Sequence, residues 1–212
     1  MQITDFFNSI EDIYLKIINC RFNEELATGL LKKTSFERYM QQDSLYLIDF
    51  AKALAITATK SLNTKHFSQL LHLADGALIA ERELHNYYFK KFNIKPVTIK
   101  NNACIAYTNF LLASAYAHSY EESLVALLPC FYIYREVGNY IKKQSFSTNP
   151  YSLWIDTYSG IEFSNAVDIM LDMTQQAISN ISPDSNKGIR LLKLFKTSTE
   201  LELFFWNDSH TN

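Results

Sequence analysis

Leu127-Leu128-Pro129-Cys130-Phe131-Tyr132-Ile133-Tyr134 is the stretch on which the reading of this chain turns. A proline sits inside an otherwise helical run, a thiol follows at once, and a tyrosine lies one helical turn beyond. Pro129 has no N–H to give to the carbonyl of Val125, and its ring crowds that carbonyl, so a bend is expected at a cost of about 3 kcal/mol or more. Two readings stay open at this point. In one, the helix wraps a core and Cys130 is a small buried apolar residue. In the other, the bend turns the Cys130 sulfur and the Tyr134 ring, four residues apart and so on one face, into a pocket.

The surroundings favour helices. Only 5 Gly and 4 Pro punctuate 212 residues, while 48% are apolar and 14% aromatic, which supplies a core but few turns for an all-β fold. No linker divides the chain, so residues 1–212 are expected to form one all-α domain. Twenty basic against 22 acidic side chains, with no basic run, speak against nucleic acid as a partner. No apolar stretch approaches the roughly 20 residues needed to cross a bilayer, and the amino terminus lacks the basic start of a signal peptide. A cytosolic protein with no membrane partner is expected. Its cysteines, Cys20, Cys104 and Cys130, form neither a CxxC pair nor a disulfide framework and are expected to be reduced.

In chain order, Phe6, Ile10, Ile13, Leu15, Ile17 and Ile18 predict one amphipathic helix over residues 1–20. Thr34-Ser35-Phe36-Glu37 has the spacing of a capping box and predicts the start of a long second helix reaching towards Lys60. Its inward face should hold Phe36, Tyr39, Tyr46, Leu47 and Phe50. Asp43, three residues before Tyr46, shares that face, where a carboxylate is anomalous unless it occupies a solvated edge. Thr64 is expected to cap a third helix ending before Asn93. Glu81, Glu83 and His85 near its end invite a test for metal, but Glu-x-x-His occurs nowhere in the chain, and a solvated charged face is preferred. A fourth helix near Ala103 to Ala117 is rich in alanine and should be central, because small side chains let helices approach. The kinked helix, Glu121 to Lys143, is the fifth. Pro150 is expected to open a sixth, interrupted at Ser159-Gly160 and resumed from Ile161. Ser182-Pro183 is read as the start of the last helix. There Glu202 sits among Leu201, Leu203, Phe204, Phe205 and Trp206, and burial of that kind raises a carboxyl pKa.

Asp43, Cys130 and Glu202 are thus three polar groups in apolar helical settings on three different helices. Tyr46, Tyr107, Tyr134 and Tyr158 are their aromatic companions. Such a set fits a closed pocket in a helical bundle for a flat, partly polar ligand. A thiolate attacks electron-poor carbon when its proton and the leaving group's proton are both handled, and a half-buried glutamate suits the second task.

The same residues resemble the TenA (thiaminase II) family. Gly29-Leu30, Phe36, Tyr39, Gln42-Asp43, Tyr46-Leu47 and Phe50 are similar to a first signature, and Ala106-Tyr107-Thr108 with Leu111-Leu112 and Ala115 to a second. Leu128-Pro129-Cys130 with Tyr134 and Gly138 looks like a third. Tyr151, Trp154-Ile155, Tyr158 and Phe163 look like a fourth, and Phe195, Ser198, Glu202 and Phe205-Trp206 like a fifth. After Trp206 the family has an acidic residue and then a small one two positions later, whereas this chain has Asn207, Asp208 and Ser209.

The resemblance implies a haem-oxygenase-like helical bundle, assembled as a homotetramer and needing no cofactor or metal. It implies Cys-dependent hydrolysis of 4-amino-5-aminomethyl-2-methylpyrimidine, or of thiamin, to the hydroxymethylpyrimidine in thiamin salvage. By that likeness Cys130 is the nucleophile, Glu202 the acid and base, and Asp43 the partner of the ring nitrogen and exocyclic amine. Tyr46, Tyr107, Tyr134, Tyr158 and Phe205 wall the pocket. Two rival readings are carried with it: a non-catalytic pyrimidine-binding or regulatory protein, and a haem protein. The second lacks an axial ligand in the first helix, since the earliest histidine is His66.

Overall fold

The computed structural model describes residues 1–146 and 148–210, with side chains at all of these except Ala80 and Glu81. Ten helices follow one another, with no strand among the described residues: α1 (Ile3–Ser9), α2 (Glu11–Ile18), α3 (Arg21–Thr28), α4 (Lys33–Ala58), α5 (Thr64–Phe92), α6 (Asn102–Ala117), α7 (Tyr120–Gln144), α8 (Ser152–Tyr158), α9 (Ile161–Ile178) and α10 (Asn186–Ser209).

α7 is the axis of the molecule. Every residue from Glu122 to Phe131 is buried, as expected of a helix apolar on all sides. α7 starts at a capping box, in which the Ser119 hydroxyl accepts from the Glu122 N–H and the Glu122 carboxylate accepts from the Ser119 N–H. It runs on through Pro129. α4, α6, α7 and α10 all touch one another, while α5 packs along α4, and α8 and α9 along α7. The alanine-rich α6 does lie inside this set.

One close approach decides where α8 sits. A Cβ built on Gly138 of α7 would stand 2.7 Å from the carbonyl carbon of Tyr158, so only glycine admits that backbone. The other point of backbone freedom is Gly29, which ends α3 with a φ of 74° in the left-handed region.

Several expected boundaries move. Residues 1–20 are not one helix. The chain turns at Ile10, which closes α1 and opens α2 with φ −121° and ψ 9°. Phe6, Ile10, Ile13 and Ile17 are all buried on either side of the break, so their periodicity carried no sign of it. The capping box at Thr34 does not form as read. The N–H groups of Ser35 and Phe36 already bond to the Lys32 carbonyl, which puts Thr34 inside the first turn of α4. α4 stops at Ala58 rather than Lys60. Asn63, not Thr64, caps α5, its side-chain oxygen accepting from Lys65 and His66. α8 begins two residues after Pro150, because Asn149 takes the Tyr151 N–H and donates to the carbonyls of Leu26 and Ala27. Ser185, not Ser182, caps α10, and Ser182 instead accepts from the Ser185 hydroxyl. Leu47 is only partly buried; the other expected inward residues of α4 are buried.

Candidate active site

Each predicted residue comes from one of the mutually touching helices or from the helix that Gly138 admits. α4 carries Asp43 and Tyr46, α6 Tyr107, α7 Cys130 and Tyr134, α8 Tyr158, and α10 Glu202 and Phe205. All eight are buried, Asp43 and Glu202 to 1% exposure each. The solvated-edge reading of Asp43 is therefore wrong. Their rings touch in two groups, Tyr46 with Tyr107 at 4.9 Å between centroids and with Phe205 at 5.7 Å, and Tyr134 with Tyr158 at 4.9 Å, which Tyr39 and Trp206 join into a cage.

The polar groups within the cage are coupled. Tyr107 donates from Oη to Glu202 Oε1 at 2.7 Å, and its oxygen lies 3.2 Å from Ser198 Oγ, which donates to the Ala126 carbonyl at 2.7 Å. Burial pushes the Glu202 carboxyl up to about 8; the Tyr107 hydrogen bond opposes this and the Asp43 charge adds to it. Burial likewise holds the Cys130 thiol well above its ordinary value, with the Glu202 charge reinforcing and Tyr46 opposing. The Tyr46 hydroxyl faces that sulfur closely enough to lower its pKa, yet it makes no hydrogen bond of full geometry. At rest the sulfur is a thiol, and Glu202 is poised to exchange a proton near neutrality.

Five further residues complete the cage. Tyr39 was placed on the inward face but given no role. Its hydroxyl accepts from Trp154 Nε1 at 3.2 Å and donates to the Tyr134 hydroxyl at 3.4 Å, and its ring stacks on Trp206 at 5.3 Å. Trp154, Ser198 and Trp206 stand in the quoted signatures but were likewise assigned nothing. His85 was misread. Glu83 is exposed as expected, and the Glu81 side chain lies outside the described residues, but His85 is buried with Nε2 3.1 Å from Asp43 Oδ2. The only sequence signal is that His85 stands beside Leu84 and three residues before Tyr88, both buried apolar positions of α5. No group of three or more metal-ligating side chains occurs among the described residues.

The cage is closed. Two surface clefts, of about 550 and about 450 Å³, are lined by Leu15, Cys20, Arg21 and Leu203 in one and by Lys142, Phe146 and Asp156 in the other. Neither includes a cage residue, and we take the buried cage as the site because the reactive groups and their mutual couplings are there. The tail beyond Trp206 is tied down despite its unusual sequence. Asp208 Oδ2 accepts from Arg38 at 2.8 Å and from Asn101 at 2.6 Å, and Ser209 is buried.

The chain is similar to known proteins along its length. The profile of the TENA/THI-4/PQQC family matches residues 8–212. The chain belongs to that family. Among relatives of this TENA/THI-4/PQQC protein, an aminopyrimidine aminohydrolase of Halalkalibacterium halodurans is 30% identical over 195 residues, covering 89% of this chain and 86% of its own. The crystal structure of a TenA family transcription regulator from Silicibacter sp. TM1040 superposes with a TM-score of 0.92 at 28% identity, covering 99% of this chain and 96% of that one. A domain with a heme oxygenase-like fold from Shewanella denitrificans, 14% identical, superposes at 0.73 over 99% of this chain and 92% of its own and shares the fold alone. The all-α, haem-oxygenase-like bundle implied by the resemblance is thus the fold of this family member. No helix among the described residues is long and apolar enough to cross a membrane.

Proposed function

We propose that the protein is a hydrolase of aminopyrimidines, converting 4-amino-5-aminomethyl-2-methylpyrimidine, or thiamin, to the hydroxymethylpyrimidine in thiamin salvage. What supports the reading above all is one observation: a thiol and a carboxyl with a pKa of about 8 share a buried aromatic cage with a second carboxylate. The activity named for the Halalkalibacterium relative supports it as well.

In this reading Cys130 passes its proton to the ionised form of Glu202 and the thiolate adds to the pyrimidine ring. Asp43 accepts from the exocyclic amine and from the N–H of the ring nitrogen, which is protonated when the pyrimidine binds, and the positive ring is a better sink for the incoming electron pair. With the aminomethyl substrate Glu202 then gives the proton to the departing group on the methylene, which leaves as ammonia; with thiamin the thiazolium leaves as neutral thiazole without a proton, and Glu202 releases its own to solvent. Water adds to the methylene, Glu202 takes its proton, and the electron pair returns to sulfur as the ring is released. The sum is substrate plus water giving alcohol plus ammonia from the aminomethyl substrate, and alcohol, thiazole and a proton from thiamin. A general acid and base works best with a pKa close to the working pH, and about 8 meets that condition where an ordinary glutamate does not. The five rings wall the pyrimidine and exclude bulk water.

The test is incubation with the aminomethylpyrimidine and with thiamin, measuring ammonia and hydroxymethylpyrimidine. Conversion of neither, with Cys130 unreactive to a thiol label in the presence of pyrimidine, would end the hydrolase reading. The name of the Silicibacter relative favours a second reading, a regulatory pyrimidine binder. Cys130→Ser separates the two: a binder keeps its affinity and shows no turnover before or after the change. A tetramer assembled in the cytosol belongs to the same proposal and is checked by light scattering.

A further inference from the structure

Asp43 carries the recognition in the reading above, yet nothing on α4 itself fixes its carboxylate. The χ2 torsion of an aspartate is broad and roughly two-fold, so an unrestrained carboxylate rotates freely between planes. From α5, His85 Nε2 reaches Asp43 Oδ2 at 3.1 Å, with both side chains buried. A carboxylate only accepts, so the proton of this bond sits on Nε2. The imidazole is itself held, meeting the Phe89 ring edge-on at 5.9 Å between centroids.

We propose that His85 is a positioning residue, whose Nε2–H holds the Asp43 carboxylate in the one plane from which it receives an aminopyrimidine's amino group and the N–H of its protonated ring nitrogen. The inference rests on the aminopyrimidine reading and deepens it, adding a second layer to the site from α5, which carries none of the eight predicted residues. His85 engages Oδ2, leaving Oδ1 and the remaining lone pair of Oδ2 for the ligand. Two bonds to a planar heterocycle must be coplanar with it, and one fixed bond on the far side sets that plane.

A double-mutant cycle tests this, read in two ways: kcat/KM on the aminomethylpyrimidine, and calorimetric Kd for hydroxymethylpyrimidine. His85→Leu fills the ring's space without a donor; His85→Gln retains a donor of similar reach. His85→Leu is expected to lower kcat/KM and affinity by about tenfold or more, and His85→Gln to restore both to within about threefold of the unsubstituted enzyme. In an Asp43→Ala background His85→Leu should change Kd by less than about twofold, since there is no carboxylate left to orient. Losses that multiply in the double variant, an unaffected His85→Leu, or a His85→Gln as weak as His85→Leu would each overturn the proposal and leave the hydrolase reading standing. If the unsubstituted protein neither binds nor converts the pyrimidine, the hydrolase reading fails, and this inference with it. Should His85→Leu not fold, His85→Ala takes its place in the same cycle.

Discussion

Replacing Glu202 with glutamine should make the protein more stable, and by an amount that grows with pH. Glu202 has a pKa of about 8 in the folded protein, chiefly through burial, against an ordinary 4.5. A group whose folded pKa is raised contributes its full stability below the unfolded pKa and loses it as pH rises through the folded one. Between about pH 4.5 and 8 the unfolded chain releases a proton that the folded chain retains; above about 8 both have released it and the loss levels off. At 1.36 kcal/mol per pH unit, the deficit is under about 1 kcal/mol at pH 5, about 3 at pH 7 and about 5 above pH 9. Glutamine removes it at every pH, because it is never charged and its carbonyl still accepts from Tyr107. Urea unfolding of both proteins at pH 5, 7 and 9 reads the difference directly, since all other titrating groups are common to the pair. A stability gap that does not widen from pH 5 to pH 9 would refute the claim that Glu202 is a desolvated carboxyl. Turnover should be lost in the same variant.

Tyr107→Phe removes the one hydrogen bond that favours the charged form of Glu202. A bond of this kind is worth about 1.5–3 kcal/mol, so the Glu202 pKa should rise by about 1–2 pH units, seen as a shift to higher pH in the profile of kcat/KM. Cys130→Ser should abolish turnover while leaving the Kd for hydroxymethylpyrimidine within a few-fold, as calorimetry would report. Gly138→Ala drives a methyl group into the Tyr158 backbone and should lower stability by about 1–3 kcal/mol, with weaker pyrimidine binding as Tyr158 shifts; unchanged unfolding would contradict the close approach of α7 and α8.

The helical class was plain in the sequence because glycine and proline are scarce and the apolar positions recur at helical spacing. The cage residues were legible for a different reason. Asp43, Cys130 and Glu202 are polar groups set in apolar faces, and each such exception needs a local compensation. What could not be read was set by contacts across the fold. The break at Ile10 leaves the apolar period intact, so only tertiary packing reveals it. Asn63 and Ser185 outcompete Thr64 and Ser182 as caps through backbone conformations that neighbouring residue types do not encode. His85 reads as part of a charged helix face because Glu81 and Glu83 precede it; its partner lies 42 residues earlier, on another helix. The anchoring of Asp208 by Arg38 and Asn101 is likewise a meeting of three distant segments.

The closed wall of rings around the sulfur has a consequence in time. A protonated, enclosed thiol meets dissolved electrophiles only in the moments when the surrounding helices part, so its alkylation at saturating reagent counts those openings. That count is a ceiling on how often a visitor can be admitted unaided. A turnover number above it would mean that the substrate itself prises open the door.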